Sequence, residues 1–542
     1  MAIDQADQSI ITRALVAATH EMGSKLIRSA HSPIVREAQD CSAALLDSTG
    51  RVIAQAELTA IQLGSITHTF SHCLELFPVK NLKSGDFIIN NDPYNGGQHL
   101  PDIFIFTPIF YQGQILGFSA SVVHHIDLGG GAPGLNPDAT DIHQEGIVFP
   151  PSLYNISRDW HGGTLERFIA ANVRMPEATI GDINAQFAAN LIGAKRLSRL
   201  AERYGVDSLN EAMAATLDYS ERRVRAAIKA LPNGVYHGKA QLDDDGINEK
   251  PVIIRTQVCV DGENIHITFN ETATQVATNL NCPFASTYAS ALACTKSVLT
   301  SPDIPFNDGV SRVISVEAPY GSVLNPKPPA PVRARLLASN RVFNAVMKAL
   351  ANVVPQQVIA EGYDTTTPVC LSHLDENGYN IYLEILGGGY GAGSANDGCD
   401  GIDCPLSNCA NIPIEALEMD YPFLRIENYS LRENSGGTGK QRGGHGFERS
   451  YQILSSAVIF ATYGDRFKTP AEGIFGGQNG ACAEIIVERQ DTVIQLNSKT
   501  AFNLNEGDIL RIRTGGGGGY GLFEERLNSL ISHDQATGLT SP

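Results

Sequence analysis

Two apolar runs, 103–110 and 115–123, flank the short segment 111–114, and no other stretch of the 542 residues restricts the fold as tightly. Runs of that length, rich in Ile, Val and Phe and joined by a short turn, form an antiparallel hairpin. The turn then fixes which residues meet at the far end. Asp102 leads into the first run and His124 follows the second, so pairing across the turn places Asp102 opposite residue 123 or 124.

That end of the hairpin is where metal-binding residue types gather. Six of the 14 histidines fall between 68 and 143: His68, His72, His99, His124, His125 and His143, with Asp92, Asp102, Asp127 and Asp141 among them. His99 stands three residues before Asp102, after Asn95-Gly96-Gly97-Gln98. Two imidazoles and a carboxylate, with a solvent-accessible fourth position, make a hydrolytic metal site. A hydrogen-bonded histidine cluster at a strand end is the competing reading, and the spacing does not choose between them. Side chains alternate along a strand, so only one of His124 and His125 is a ligand. His125 and Asp127 share the other face, where Asp127 could orient the imidazole for proton transfer to a departing group.

The rest of the chain alternates irregularly. Positions 11, 15, 18, 22 and 26 are apolar at helical spacing, which predicts a helix over 9–31 ended by Ser32-Pro33. Short strands are expected at 42–46, 52–55 and 86–90, helices over 165–204 and 207–230, strands at 252–260 and 264–270, and further helices at 286–299 and 340–353. From about 375 onward the chain is rich in glycine and in strand-forming residues. The pattern predicts a multi-domain α+β fold of mixed antiparallel sheets with a central helical segment. The expected divisions are an α+β metal-site domain over 1–160, a helical segment over 161–235, an α+β domain over 236–375 and a glycine-rich β domain over 376–542.

Several function classes are excluded or disfavoured. A formal net charge of -18 repels phosphate backbones, so nucleic acid is not an expected partner. No apolar run is long enough to span a bilayer and the first residues carry no secretory pattern, so a cytoplasmic protein is expected. The ten cysteines then read as reduced thiols, including Cys41 beside Asp40 and the regularly spaced Cys399, Cys404 and Cys409. Gly436-Gly437-Thr438-Gly439-Lys440 fails as a phosphate loop because Gln441 follows the lysine. No Gly-x-Ser-x-Gly elbow occurs. The glycine runs 387–391 and 515–519 could cradle an anion with their amides, but close backbone packing is the commoner use of such runs.

The stretches Arg36-Glu37-Ala38-Gln39-Asp40-Cys41-Ser42, Asn90-Asn91-Asp92-Pro93-Tyr94, Gly96-Gly97-Gln98-His99-Leu100-Pro101-Asp102 and His124-His125-Ile126-Asp127-Leu128-Gly129-Gly130 resemble the hydantoinase B/oxoprolinase family. So do Gln144-Glu145-Gly146, Asn172-Val173-Arg174, Gly181-Asp182, Leu324-Asn325-Pro326 and Gly436-Gly437-Thr438-Gly439, which together run over nearly the whole chain. The resemblance implies the metal-dependent subunit of an ATP-dependent cyclic amide hydrolase, opening a hydantoin, 5-oxoproline or a lactam. It implies one divalent metal, zinc ahead of manganese or iron, held by His99, Asp102 and His124 with Asp40 as a further carboxylate. His125, Asp127 and Glu145 are the implied catalytic residues. ATP and magnesium would sit on a hydantoinase A-type partner, in a heterotetramer or larger assembly. Two alternatives accompany this reading: a subunit of an ATP-dependent acetone- or acetophenone-type carboxylase, disfavoured by the shorter chain, and a non-catalytic scaffold. His143 departs from the family pattern, which more often has an aromatic residue there.

Overall fold

The computed structural model describes residues 4–541. Its first sheet is built from β1 (Cys41–Asp47), β2 (Val52–Gln55), β3 (Asp86–Asn90), β4 (Asp102–Tyr111), β5 (Gln114–His124) and β6 (Ser152–Asn155), in the order β2-β1-β5-β4-β3-β6 with every neighbour antiparallel. Both faces are covered, which is why β1 and β4 read as continuous apolar runs rather than alternating ones. Phe104 and Phe106 pack toward the helix Ala60–Leu76, where Phe106 stacks on Phe70 with ring centroids 4.4 Å apart. Ile103 and Ile105 face the opposite way, onto Leu165, Ile169 and Ile183 of the helices Thr164–Asn172 and Pro176–Tyr204.

The single helix expected over 165–204 is two helices. Residues 173–175 are extended and Pro176 opens the second, because proline lacks the amide to continue a helix yet suits its first position. The helix expected over 340–353 begins earlier, as Arg335–Leu350, with two arginines hiding its apolar face from a reading by periodicity. It packs on a second sheet of Gly234–Leu242, Val252–Asp261, Asn264–Thr268 and Ile314–Glu317, whose last two strands are parallel. Two antiparallel sheets of four and five strands complete the α+β fold.

The glycine runs pack against one another between these last sheets. The amides of Gly516, Gly517, Gly518 and Gly519 donate to the carbonyls of Ala481, Gly444, Glu361 and Gln478. A Cβ on Gly517 would lie 2.0 Å from the Tyr390 carbonyl oxygen, so no larger residue fits. The amides are committed to the fold, and the anion cradle considered for 515–519 is not formed.

Candidate metal centre

The turn of the long hairpin is tighter than the sequence suggested. Tyr111 pairs with Gln114, and Gln112 and Gly113 both take positive φ, 49° and 81°, the conformation of a two-residue hairpin turn. Phe110 pairs with Ile115, but Ile109 pairs with Gly117. This bulge at Leu116 shifts the register by one, so Asp102 pairs with His124 rather than Val123. Without it, the two side chains would point to opposite faces of the sheet.

Three strand ends therefore deliver three side chains side by side. Asp40 precedes β1, His124 ends β5 and Asp102 begins β4; the His124 amide donates to the Asp40 carbonyl over 3.1 Å. His99 comes from the loop 91–101. Asn91 braces that loop by donating to the carbonyls of Leu100 and Ile147 and accepting from the Phe149 amide. A Cβ on Gly97 would lie 2.7 Å from Asn91 backbone, so the loop closes only with glycine there.

The donor atoms converge. His99 Nε2 lies 3.2 Å from His124 Nδ1 and 3.3 Å from Asp102 Oδ2; His124 Nδ1 lies 3.4 Å from Asp102 Oδ1 and 3.6 Å from Asp40 Oδ2. His99 Nδ1 is 3.0 Å from the Arg333 carbonyl, which can only accept, so the Nδ1 proton sits there and Nε2 presents a lone pair. Burial, reinforced by Arg335, pushes the His99 pKa down to about 3 and keeps the ring neutral. Burial pushes Asp102 upward, but the Arg335 guanidinium against it outweighs burial and holds the carboxyl well below its usual range. Asp40, raised to about 6 chiefly by burial, is the softer of the two carboxylates.

Lone pairs of His99 and Asp102 thus face each other with no proton between them, an arrangement a cation relieves. The spacings fit one. Four ligands about 2.1 Å from a tetrahedral centre lie about 3.4 Å apart. His99, Asp102 and His124 form the cluster of potential metal ligands found among the described residues. The cluster lies beneath the surface rather than on it. Asp102 is fully buried, and Asp40 and His124 are only 7% and 6% exposed.

The surrounding residues lie outside the motifs that sequence reasoning used. Gln62 donates from one amide nitrogen to Asp40 and Asp102, at 2.9 and 3.3 Å. Arg335 donates to Asp102 and to Gln98. The legible signal was Pro331-Val332-Arg333-Ala334-Arg335, two arginines in an otherwise apolar stretch, since buried charges need a specific partner.

The three implied catalytic residues are placed differently from one another. His125 is fully buried on the face opposite His124, beside the Gln186 carboxamide, with burial lowering its pKa to about 3. Asp127 does not orient it: its carboxylate accepts from the amides of Gly129, Gly134 and Arg174 and pairs with the Arg174 guanidinium at 3.0 Å. Glu145 accepts from the amides of Val332 and Arg333, and burial raises its pKa to about 8. It therefore holds the residue whose carbonyl fixes His99. His143 is exposed, with its amide on Asp141.

Comparison with known proteins agrees with these motifs. The hydantoinase B/oxoprolinase family matches residues 4–522. The B component of a putative D-/L-hydantoinase of Pseudomonas sp. (strain NS671) is 34% identical over 558 residues, covering 99% of this chain and 93% of that protein. The crystal structure of the ATP-dependent caprolactamase from Pseudomonas jessenii superposes with a TM-score of 0.92 at 27% identity, over 100% of this chain and 95% of that one. An acetone carboxylase in nucleotide-free form shares the fold, with a TM-score of 0.87 at 16% identity over 99% of this chain and 78% of that one. The chain belongs to the hydantoinase B/oxoprolinase family.

Proposed function

We propose that this chain is the metal-dependent subunit of an ATP-dependent enzyme that opens cyclic amides, acting on a substrate phosphorylated by a partner of the hydantoinase A type. The observation that carries this reading is the convergence of Asp40, His99, Asp102 and His124 at three aligned strand ends. An amide carbonyl is a poor electrophile, and phosphorylation of its oxygen activates the carbon. Bound by these four residues, a divalent cation supplies Lewis acidity and lowers the pKa of water. Arg335 and Gln62 hold the carboxylates in place, and the Arg333 carbonyl fixes the tautomer of His99. Ring opening leaves a nitrogen that must gain a proton. We assign its delivery to the side of the site that carries His125, with Asp127 and Glu145 shaping the loops around it.

The hydantoinase relative is by name one lettered component of its enzyme, and a caprolactamase relative from Pseudomonas jessenii is by name a beta chain; both support a partner chain here. The test is co-expression with a hydantoinase A-type partner and a screen of hydantoins, 5-oxoproline and lactams for coupled ATP consumption and ring opening. Turnover that requires bicarbonate and yields a carboxylated product would replace this reading with the carboxylase. Full activity without metal would remove the site from the mechanism. His125→Ala separates proton delivery from ligation: retained metal with a changed pH–rate profile supports the former, and metal loss the latter.

A further inference from the structure

Arg335 is more than a brace for Asp102. It is 2% exposed, and its Nη2 already serves two acceptors, Asp102 Oδ2 and Gln98 Oε1. A guanidinium carries five N–H donors, so those on Nε and Nη1 are left over. Neither atom has a partner, although both are buried. A buried, charged donor without an acceptor is costly, and native proteins rarely tolerate one without a use.

The same residue begins the helix Arg335–Leu350. The residue before it is Ala334, which has no side-chain acceptor for the amides of the first turn. The Arg335 and Leu337 amides donate instead to the Val332 and Ala334 carbonyls, and the positive end of the 16-residue helix dipole lies beside the unpartnered guanidinium. It lies at the metal cluster, because the Arg333 carbonyl two residues earlier accepts from His99. With a divalent cation in place, that cation and Arg335 outweigh the charges of Asp40 and Asp102, and the centre favours an anion.

We infer that the free donors of Arg335, at the positive end of its helix, form an oxyanion subsite that receives the phosphoryl group of the activated amide. A guanidinium presents these donors in fixed directions, which the rotatable ammonium of a lysine does not. This rests on the reading that the substrate arrives phosphorylated. It assigns that group a place on this chain after it leaves the partner, next to the cluster that acts on the carbon.

Inorganic phosphate is the probe. Crystals of the wild-type chain grown with phosphate are expected to place it within hydrogen-bond distance of Arg335 Nε or Nη1. In solution, phosphate titrated onto the metal-loaded chain should bind about tenfold or more weakly to Arg335→Lys than to wild type, with metal content unchanged. Phosphate lying elsewhere with only water at Arg335, or equal affinity in a metal-replete Arg335→Lys, would overturn the subsite. Mg-ATP occupying the position in place of phosphate would overturn its assignment to the substrate. If phosphate binds as expected but the complex opens no cyclic amide, the subsite stands and the substrate reading fails.

Discussion

The charges buried around Asp102 and those buried around Glu361 obey different rules. Around Glu361, three cations meet three carboxylates: Lys348 and Arg466 contact Glu361 at 2.8 and 2.7 Å, Arg341 faces Asp465 at 3.4 Å, and Asp364 accepts from Asn344. Burial pushes the Glu361 pKa upward, but Arg466, Lys348 and Arg341 outweigh it and hold the group at about 2. That cluster balances its own charge and ties the helix Arg335–Leu350 to the C-terminal region. Around Asp102, two carboxylates and two imidazoles share one guanidinium, and the lone pair of His99 faces an acceptor. A buried cluster that balances its own charge reads as structural; one that needs a cation from outside reads as a binding site.

Four experiments sharpen or break that contrast. The largest effect is expected from His99→Ala/His124→Ala, which should abolish metal binding and lower turnover of the assembled enzyme by about 10³-fold or more, with the fold retained. Elemental analysis beside circular dichroism checks it, and full metal occupancy in the double variant would break the assignment. Arg466→Met should do the reverse. It leaves Glu361 with Lys348 alone and should cost about 3 kcal/mol of stability while leaving metal content intact, read by thermal or denaturant unfolding.

Glu145→Gln comes next. Its carboxylate holds the Val332 and Arg333 amides, so loosening them frees the carbonyl that orients His99. Metal affinity should fall about 10–100-fold with little change in melting temperature. Competition with a chelator measures this, and unchanged affinity would confine Glu145 to holding its loop. The smallest effect is a pH dependence. A carboxyl held below its unfolded value contributes stability that is present above that value and lost as pH falls through the folded one. Glu361 should therefore make unfolding easier between about pH 4.5 and about 2, and Glu361→Gln should flatten that limb of the stability curve.

The comparison also shows what a sequence can reveal. The long hairpin, the approach of Asp102 to His124 and the α+β character follow from apolar runs and a turn. Which of Val123 and His124 faces Asp102 does not, because it depends on one extra residue at Leu116, and only Gly117 nearby hints at a bulge. Arg335 is more than 200 positions from Asp102 in the chain, and no local pattern predicts that contact. Asp127 illustrates the opposite error. Its spacing from His125 is right for a carboxylate–imidazole pair, but Arg174 and three backbone amides take both of its oxygens. The depth of the cluster was not legible either, because the helix carrying Gln62 and the segment carrying Arg333 and Arg335 reach it from distant parts of the chain.

The interlocked glycine runs have a consequence for how the protein is made. A ribosome releases 387–391 and 436–444 well before 515–519, yet Gly389 donates to the Gly515 carbonyl, and Gly437 and Gly444 meet Gly517. The earlier glycines pair with one another and with 399–402, but they have no side chains to collapse on. The region from 376 onward therefore cannot complete its native backbone pairing until residues 515–519 have emerged, and a nascent chain halted short of residue 515 would carry the N-terminal donor cluster on a molecule whose glycine runs lack their central strand of partners.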